Sequence, residues 1–129
     1  MRVVCCFLEY DDKFLVLARP NLATGEHEWD LPAGKVKANE STEAATVRIV
    51  AEETGYTAVA ADVTLLGTFN FISSRNEPYT MFAYCLKLSD PLEANQNFAT
   101  EWVSTAECLA KPNLIKNLRQ LLELTGYTV

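Results

Sequence analysis

Histidine is all but missing from these 129 residues. His27 stands alone, with no second imidazole to complete a metal site or a catalytic pair. Cysteine is nearly as scarce: Cys5, Cys6, Cys85 and Cys108 include no C-x-x-C spacing, which argues against zinc sites, redox motifs and a disulfide framework. The four are expected to be reduced and mostly buried, with adjacent Cys5 and Cys6 on opposite faces of a strand. No apolar run approaches the roughly 18 residues of a membrane-spanning helix. The stretch Met1–Cys6 is interrupted too soon for a signal peptide. Both absences make the cytoplasm the expected compartment and leave no role for a membrane.

Basic residues are in the minority. Eleven Lys and Arg against 17 Asp and Glu leave a net charge of −6. Such a chain is not expected to bind a nucleic acid polymer, because nothing on it would release counterions from a phosphate backbone. A small anionic ligand stays open to it, provided a divalent cation stands between. Internal repeats, low-complexity tracts and Pro- or Ser-rich linkers are absent too, so 1–129 reads as a single domain.

What is present is ordinary for a globular fold: 49% hydrophobic and 22% charged residues, enough for a self-sufficient core. Val3 to Tyr10 reads as a buried strand, Asp11-Asp12-Lys13 as a turn, and Phe14 to Ala18 as the return strand. Arg19 to Glu28 reads as a loop, Trp29 to Leu31 as a short extended piece before Pro32, and Ala33 to Asn39 as a second loop. Ser41 to Thr54 has the strongest helical pattern, with Ala44, Val47 and Ala51 as its apolar stripe and Val50 and Thr54 beside it. Ser41 or Asn39 suits its start and Gly55 its end. Val63 to Phe71, Tyr79 to Leu88 and Glu101 to Val103 read as strands. Thr105 to Ala110 and Pro112 to Leu124 read as helices. The class is α/β or α+β, with helices covering a mixed sheet.

One segment concentrates the chemistry. Gly34 is followed after five residues by Glu40, and after seven more by Arg48, Glu52, Glu53 and Gly55 in close order. Arg48 and Glu52 are four apart and share a helix face, while Glu52 and Glu53 lie about 100° apart around it. Both carboxylates can therefore converge beside the helix. Gly34 has no side chain to keep its backbone carbonyl from the same place. Such oxygens suit Mg²⁺ or Mn²⁺ and not zinc.

This pattern resembles the Nudix box of the Nudix (MutT-like) hydrolases: Gly, any five, Glu, any seven, then Arg-Glu-aliphatic-any-Glu-Glu-any-Gly-aliphatic. Gly34, Glu40, Arg48, Val50, Glu52, Glu53 and Gly55 match it, and Tyr56 matches loosely. At average residue usage the six identities would arise by chance with a probability of about 10⁻⁵, which sets coincidence aside. Glu28 to Val36 resembles the family's lead-in, with Ala33 where a second Gly is common, and Glu101-Trp102-Val103 resembles its late strand. The resemblance implies an α/β/α sandwich that hydrolyses a pyrophosphate linkage in a nucleoside diphosphate derivative, a triphosphate being one candidate. It implies a bound Mg²⁺ or Mn²⁺, a small-molecule nucleotide partner, and a monomer or homodimer.

By residue, the resemblance assigns metal binding to Glu52, Glu53 and the Gly34 carbonyl, and their orientation to Glu40 and Arg48. Glu52, Glu53 and Arg48 are the catalytic candidates. Arg19, Lys35, Phe71 and Asn113 are candidates for contacting substrate. Two departures stand out. Ile49 replaces the Glu that follows the box Arg. It lies four residues before Glu53, so it either faces the ion site or, with a small rotation of the helix, belongs to the core. Gln96 occupies the place of a further metal-binding Glu, and Glu93 and Glu101 are the neighbouring carboxylates able to substitute. Losing the acid at position 49 also raises an alternative, a nucleotide-binding or sensor module with weakened turnover.

Overall fold

A computed structural model describes residues 1–92 and 98–129. Its centre is β1 (Arg2–Tyr10), whose Val4 to Leu8 are buried on both faces, as an unbroken apolar run requires. Cys5 and Phe7 enter one core and Val4, Cys6 and Leu8 the other. Asp11 and Asp12 turn the chain with φ of 53° and 60°, the two left-handed residues of a tight hairpin loop, into β2 (Lys13–Pro20). Strand β3 (His27–Asp30) pairs with the far end of β2, and β4 (Ala33–Lys35) pairs antiparallel with β1. Next come β5 (Thr64–Ile72), β6 (Pro78–Lys87) and β7 (Thr100–Val103). The sheet runs β3-β2-β1-β6-β5, with β4 added to β1 and β7 to β2. β1 lies parallel to β6 and antiparallel to β2, so the sheet is mixed.

Two of the sequence expectations change here. The span read as a loop from Ala33 contains β4, and Arg19 and Pro20 still belong to β2. Three residues are too few for an alternating pattern to declare itself. β4 exists because β1 offers an open edge beyond its hairpin with β2, where only Glu9↔Phe14 and Tyr10↔Lys13 pair.

Helix α1 (Thr42–Thr54) starts where Ser41 accepts a bond from the Ala44 amide, at 3.1 Å, and ends at Gly55 with φ 78°. Its buried face is Ala45, Thr46, Ile49, Val50 and Thr54: the expected Val50 and Thr54 are on it, while Ala44 and Ala51 are exposed and Val47 is half-buried. Thr46 and Thr54 can be buried because their hydroxyls bond back to the carbonyls of Thr42 and Val50, at 2.8 and 2.7 Å. Tyr84 of β6 fastens the first turn through Thr42 and Glu43. On the opposite face sit α2 (Thr105–Leu109) and α3 (Leu118–Thr125), supplying Cys108, Leu118, Leu121 and Leu122 to the other core. The last helix is shorter than expected. Asn113 and Asn117 have φ of 57° and 77°, which no α-helix passes through, and Leu114 bridges to Trp29 instead. The result is an α/β fold with helices on both faces of the sheet. All four cysteines are free and buried.

Candidate active site

The loop from β4 to α1 is bound to the helix by one arginine. Arg48 donates from Nε and Nη2 to the two oxygens of Glu40, at 2.8 and 2.9 Å, and from Nη2 to the Lys35 carbonyl at 2.9 Å. Its Nη1 reaches Glu52, at 3.4 Å from each oxygen. Hydrogen bonds from Arg48, and then from the Lys37 amide, pull the Glu40 carboxyl down to about 2. Position 40 therefore fixes Arg48, and Arg48 spans the loop, the helix and Glu52. Glu52 itself is open, with 55% of its side chain exposed.

The neighbouring acid has a different holder. Glu53 is only 12% exposed, and Arg19 grips both its oxygens, Nη1 to Oε2 at 2.6 Å and Nη2 to Oε1 at 2.7 Å. The Ala33 amide donates to the same Oε1 at 2.9 Å. Arg19 also donates from Nε to Asp30 at 2.7 Å and from Nη2 to the carbonyls of Leu31 and Ala33. The ring of Phe98 lies 5.6 Å from its guanidinium carbon. Burial alone would weaken the charge on Arg19, but Glu53 and Asp30 more than offset it and raise its pKa. Asp30 moves up as well, since burial outweighs its pairing with Arg19. The two adjacent acids are thus held by different arginines: Arg48 reaches Glu52, as the helical spacing placed it, and Arg19 holds Glu53, which the spacing did not indicate.

Gly34 lies in the β1–β4 ladder opposite Val4. A Cβ there would run into Ile49 Cδ1, with Cγ1 at 3.1 Å. Ile49 is 7% exposed and belongs to the core with Val4, Cys6, Leu15, Ala45 and Val50. Of the two readings of position 49, the core is where the structure puts it. The glycine is small because the isoleucine needs its space. Gly34→Ala should cost about 1–3 kcal/mol by overpacking. Adding Ile49→Val, which removes Cδ1, should return about 1 kcal/mol or more in a double-mutant cycle of urea midpoints. Strict additivity would show that the two side chains do not meet.

Beside this site, on the α3 side of the sheet, lies a cavity of about 240 Å³. Val3, Cys5, Phe71 and Leu118 make its apolar wall, and Asp30, Leu31 and Ala33 join it to the Arg19–Glu53 pair. Asn117 donates to Tyr79 Oη at 2.9 Å and to the Ile72 carbonyl at 3.0 Å. Sequence reasoning missed Tyr79 and Asn117, and it missed Asp30. Asn117 was hidden inside what read as a helix, and its left-handed φ is the only local mark of its role. The expected Asn113 does not line this cavity; its amide goes to Glu26 at 3.1 Å.

The other candidates fall as follows. Phe71 is buried in the core, tilted against Phe69 and Tyr79, and is also cavity wall. The side chain of Lys35 is exposed. Glu101 pairs in register with Val16, whose face is that of α2 and α3, and it binds Lys111 at 2.8 Å. It points away from the face that carries α1, so the structure does not bring it to Glu52 and Glu53. Glu93 and Gln96 lie outside the described residues.

The donor chemistry fits a hard divalent cation. Glu52, Glu53 and the Gly34 carbonyl offer oxygen alone, and magnesium commonly takes one or two carboxylates and completes its shell with water and substrate phosphate. Among the described residues no three His, Cys, Asp or Glu side chains form a ready cage.

The NUDIX domain family matches residues 1–124, and the chain belongs to it. A protein of Bacillus subtilis (strain 168) named "Putative 8-oxo-dGTP diphosphatase" is 32% identical over 76 residues, 59% of this chain and 50% of its own length. The chain thus matches about half of that relative. The crystal structure of a MutT protein from Methanosarcina mazei Go1 superposes with a TM-score of 0.79 at 26% identity, covering 98% of this chain and 92% of that one. A NUDIX hydrolase from Nitrosomonas europaea gives 0.75 at 25% identity, covering 97% and 87%. No helix among the described residues is long and apolar enough to cross a membrane.

Proposed function

We propose that this protein hydrolyses a pyrophosphate linkage in a nucleoside diphosphate derivative, a nucleoside triphosphate being the foremost candidate, with a divalent cation held by Glu52, Glu53 and the Gly34 carbonyl. The observation that carries the reading is the junction of two unlike environments at Asp30–Ala33: an apolar cavity on one side and paired acids on the other. A nucleobase suits the first and a phosphate–cation pair the second. The name of the Bacillus relative points to the same substrate class.

A bound Mg²⁺ or Mn²⁺ would neutralise the phosphates and lower the pKa of a bound water. The chain supplies the rest. Arg48 and Glu40 brace the loop, so that the Gly34 carbonyl and Glu52 keep their places. Tyr79, accepting from Asn117, has its own proton to donate to a base edge. Glu52, 55% exposed against 12% for Glu53, is the candidate to accept the proton of the attacking water. The water oxygen then bonds to phosphorus as the bond to the leaving phosphate breaks.

Ile49 favours a second reading, a nucleotide-binding module with little turnover, because the helix lacks an acid where the family has one. A panel of nucleoside triphosphates, dinucleoside polyphosphates, ADP-ribose and sugar nucleotides, assayed with Mg²⁺ and Mn²⁺, separates the two. Release of nucleoside monophosphate from at least one member is expected. A raised Tm without product would establish the second reading, and neither response would refute both.

A further inference from the structure

Arg19 is an expected substrate contact, yet all three of its nitrogens already donate within the protein. It makes five contacts within 3.2 Å: Nε to Asp30, Nη1 to Glu53, and Nη2, whose two N–H groups are shared among three acceptors, to Glu53, Leu31 and Ala33. The paired contact with Glu53 is the fork-to-carboxylate geometry that gives an arginine its strongest hold. It takes both oxygens of the acid, at 2.6 and 2.7 Å, on a side chain 12% exposed. A divalent cation seeking the same carboxylate meets a positive charge already there.

We propose that Arg19 is a positioning residue that competes with the divalent cation for Glu53. The guanidinium is the resident counter-charge of the acid without metal, and it sets the affinity for metal low. The inference rests on the proposed role of Glu53 as a metal ligand and adds the partner that must give way. It also assigns the guanidinium a destination. Phosphate oxygens match the arginine fork as a carboxylate does, so a polyanionic substrate can take Arg19 from Glu53 as it brings its own metal. Metal and substrate binding would then reinforce each other, as linkage requires. If Arg19 only braced a ligand already turned toward the cation, its removal would weaken metal binding. Competition predicts the opposite sign.

The test is Mn²⁺ binding, followed by electron paramagnetic resonance, to the full chain and to its Arg19→Met and Arg19→Lys variants without nucleotide. Arg19→Met is expected to bind Mn²⁺ about tenfold tighter or better, within the usual range of coupled sites, with Arg19→Lys between it and the wild type. Loss of the part-buried guanidinium will also destabilise the variant, so melting is followed in parallel. Mn²⁺ should raise the Tm of Arg19→Met by more than that of the wild type, since a tighter ligand stabilises more by mass action. Unchanged or weaker Mn²⁺ binding in Arg19→Met, with the wild type still binding Mn²⁺ and cleaving a nucleotide, overturns the competition and leaves the hydrolase reading intact. Absence of Mn²⁺ uptake by all three proteins at millimolar levels overturns both.

Discussion

Glu53→Gln is expected to lower nucleotide turnover by about 10³-fold, whereas Glu52→Gln, with a comparable loss of rate, should leave the thermal midpoint nearly unchanged. The rate estimate follows from several kcal/mol of charge stabilisation by a bound cation, at 1.36 kcal/mol per decade. The two variants part company in stability. Glu53 is mostly buried, receives both ends of the Arg19 fork and accepts the Ala33 amide. A glutamine there turns an NH₂ group toward the arginine and leaves a cation in a buried place with Asp30 alone. Breaking a buried pair from one side costs about 3–5 kcal/mol in dry interiors, and less where the pair touches solvent as this one does. Glu52 is half exposed and 3.4 Å from Arg48, a surface contact worth under about 1 kcal/mol. Turnover and melting of both variants settle the matter. Retained activity in Glu53→Gln would remove that residue from the metal site.

The second large effect is expected at position 49. Ile49→Glu should lower stability by about 3 kcal/mol or more in metal-free buffer, roughly 10 °C in Tm for a chain of this size. The side chain is 7% exposed among Val4, Cys6, Leu15, Ala45 and Val50, and it lies directly over Gly34. A carboxylate placed there has no cation within the apolar cluster, and the glycine beneath leaves no polar side chain to answer it. Thermal and urea melts against Ile49→Leu, a volume-conserving control, provide the measurement. A midpoint equal to that of the control would mean that the new acid reaches solvent or the ion site. Ile49 would then line the site and not the core.

Residues 34 to 55 made the family and the α1 helix legible without coordinates, because spacing along a helix dictates which side chains share a face. Ser41 and Gly55 mark the ends of that helix by rules of the backbone alone. Its buried stripe was harder to read. Thr46 and Thr54 look polar in sequence and become core residues only when their hydroxyls find the carbonyls of Thr42 and Val50. Ile49 was open between two readings until Gly34 was seen beneath it.

Local sequence therefore determined the box, its helix, the central strands and the oxygen-only chemistry of the candidate ligands. Each of these rests on neighbours within a few residues, where periodicity and backbone preference act directly. Tertiary structure alone decided which arginine holds which acid, since Arg19 and Glu53 are 34 positions apart and meet only through the packing of α1 on the sheet. It also decided that Asn117 and not Asn113 enters the cavity, and that Glu101 faces away. Those outcomes depend on strand register and on two left-handed residues, and a shift of one residue in either would have reversed them.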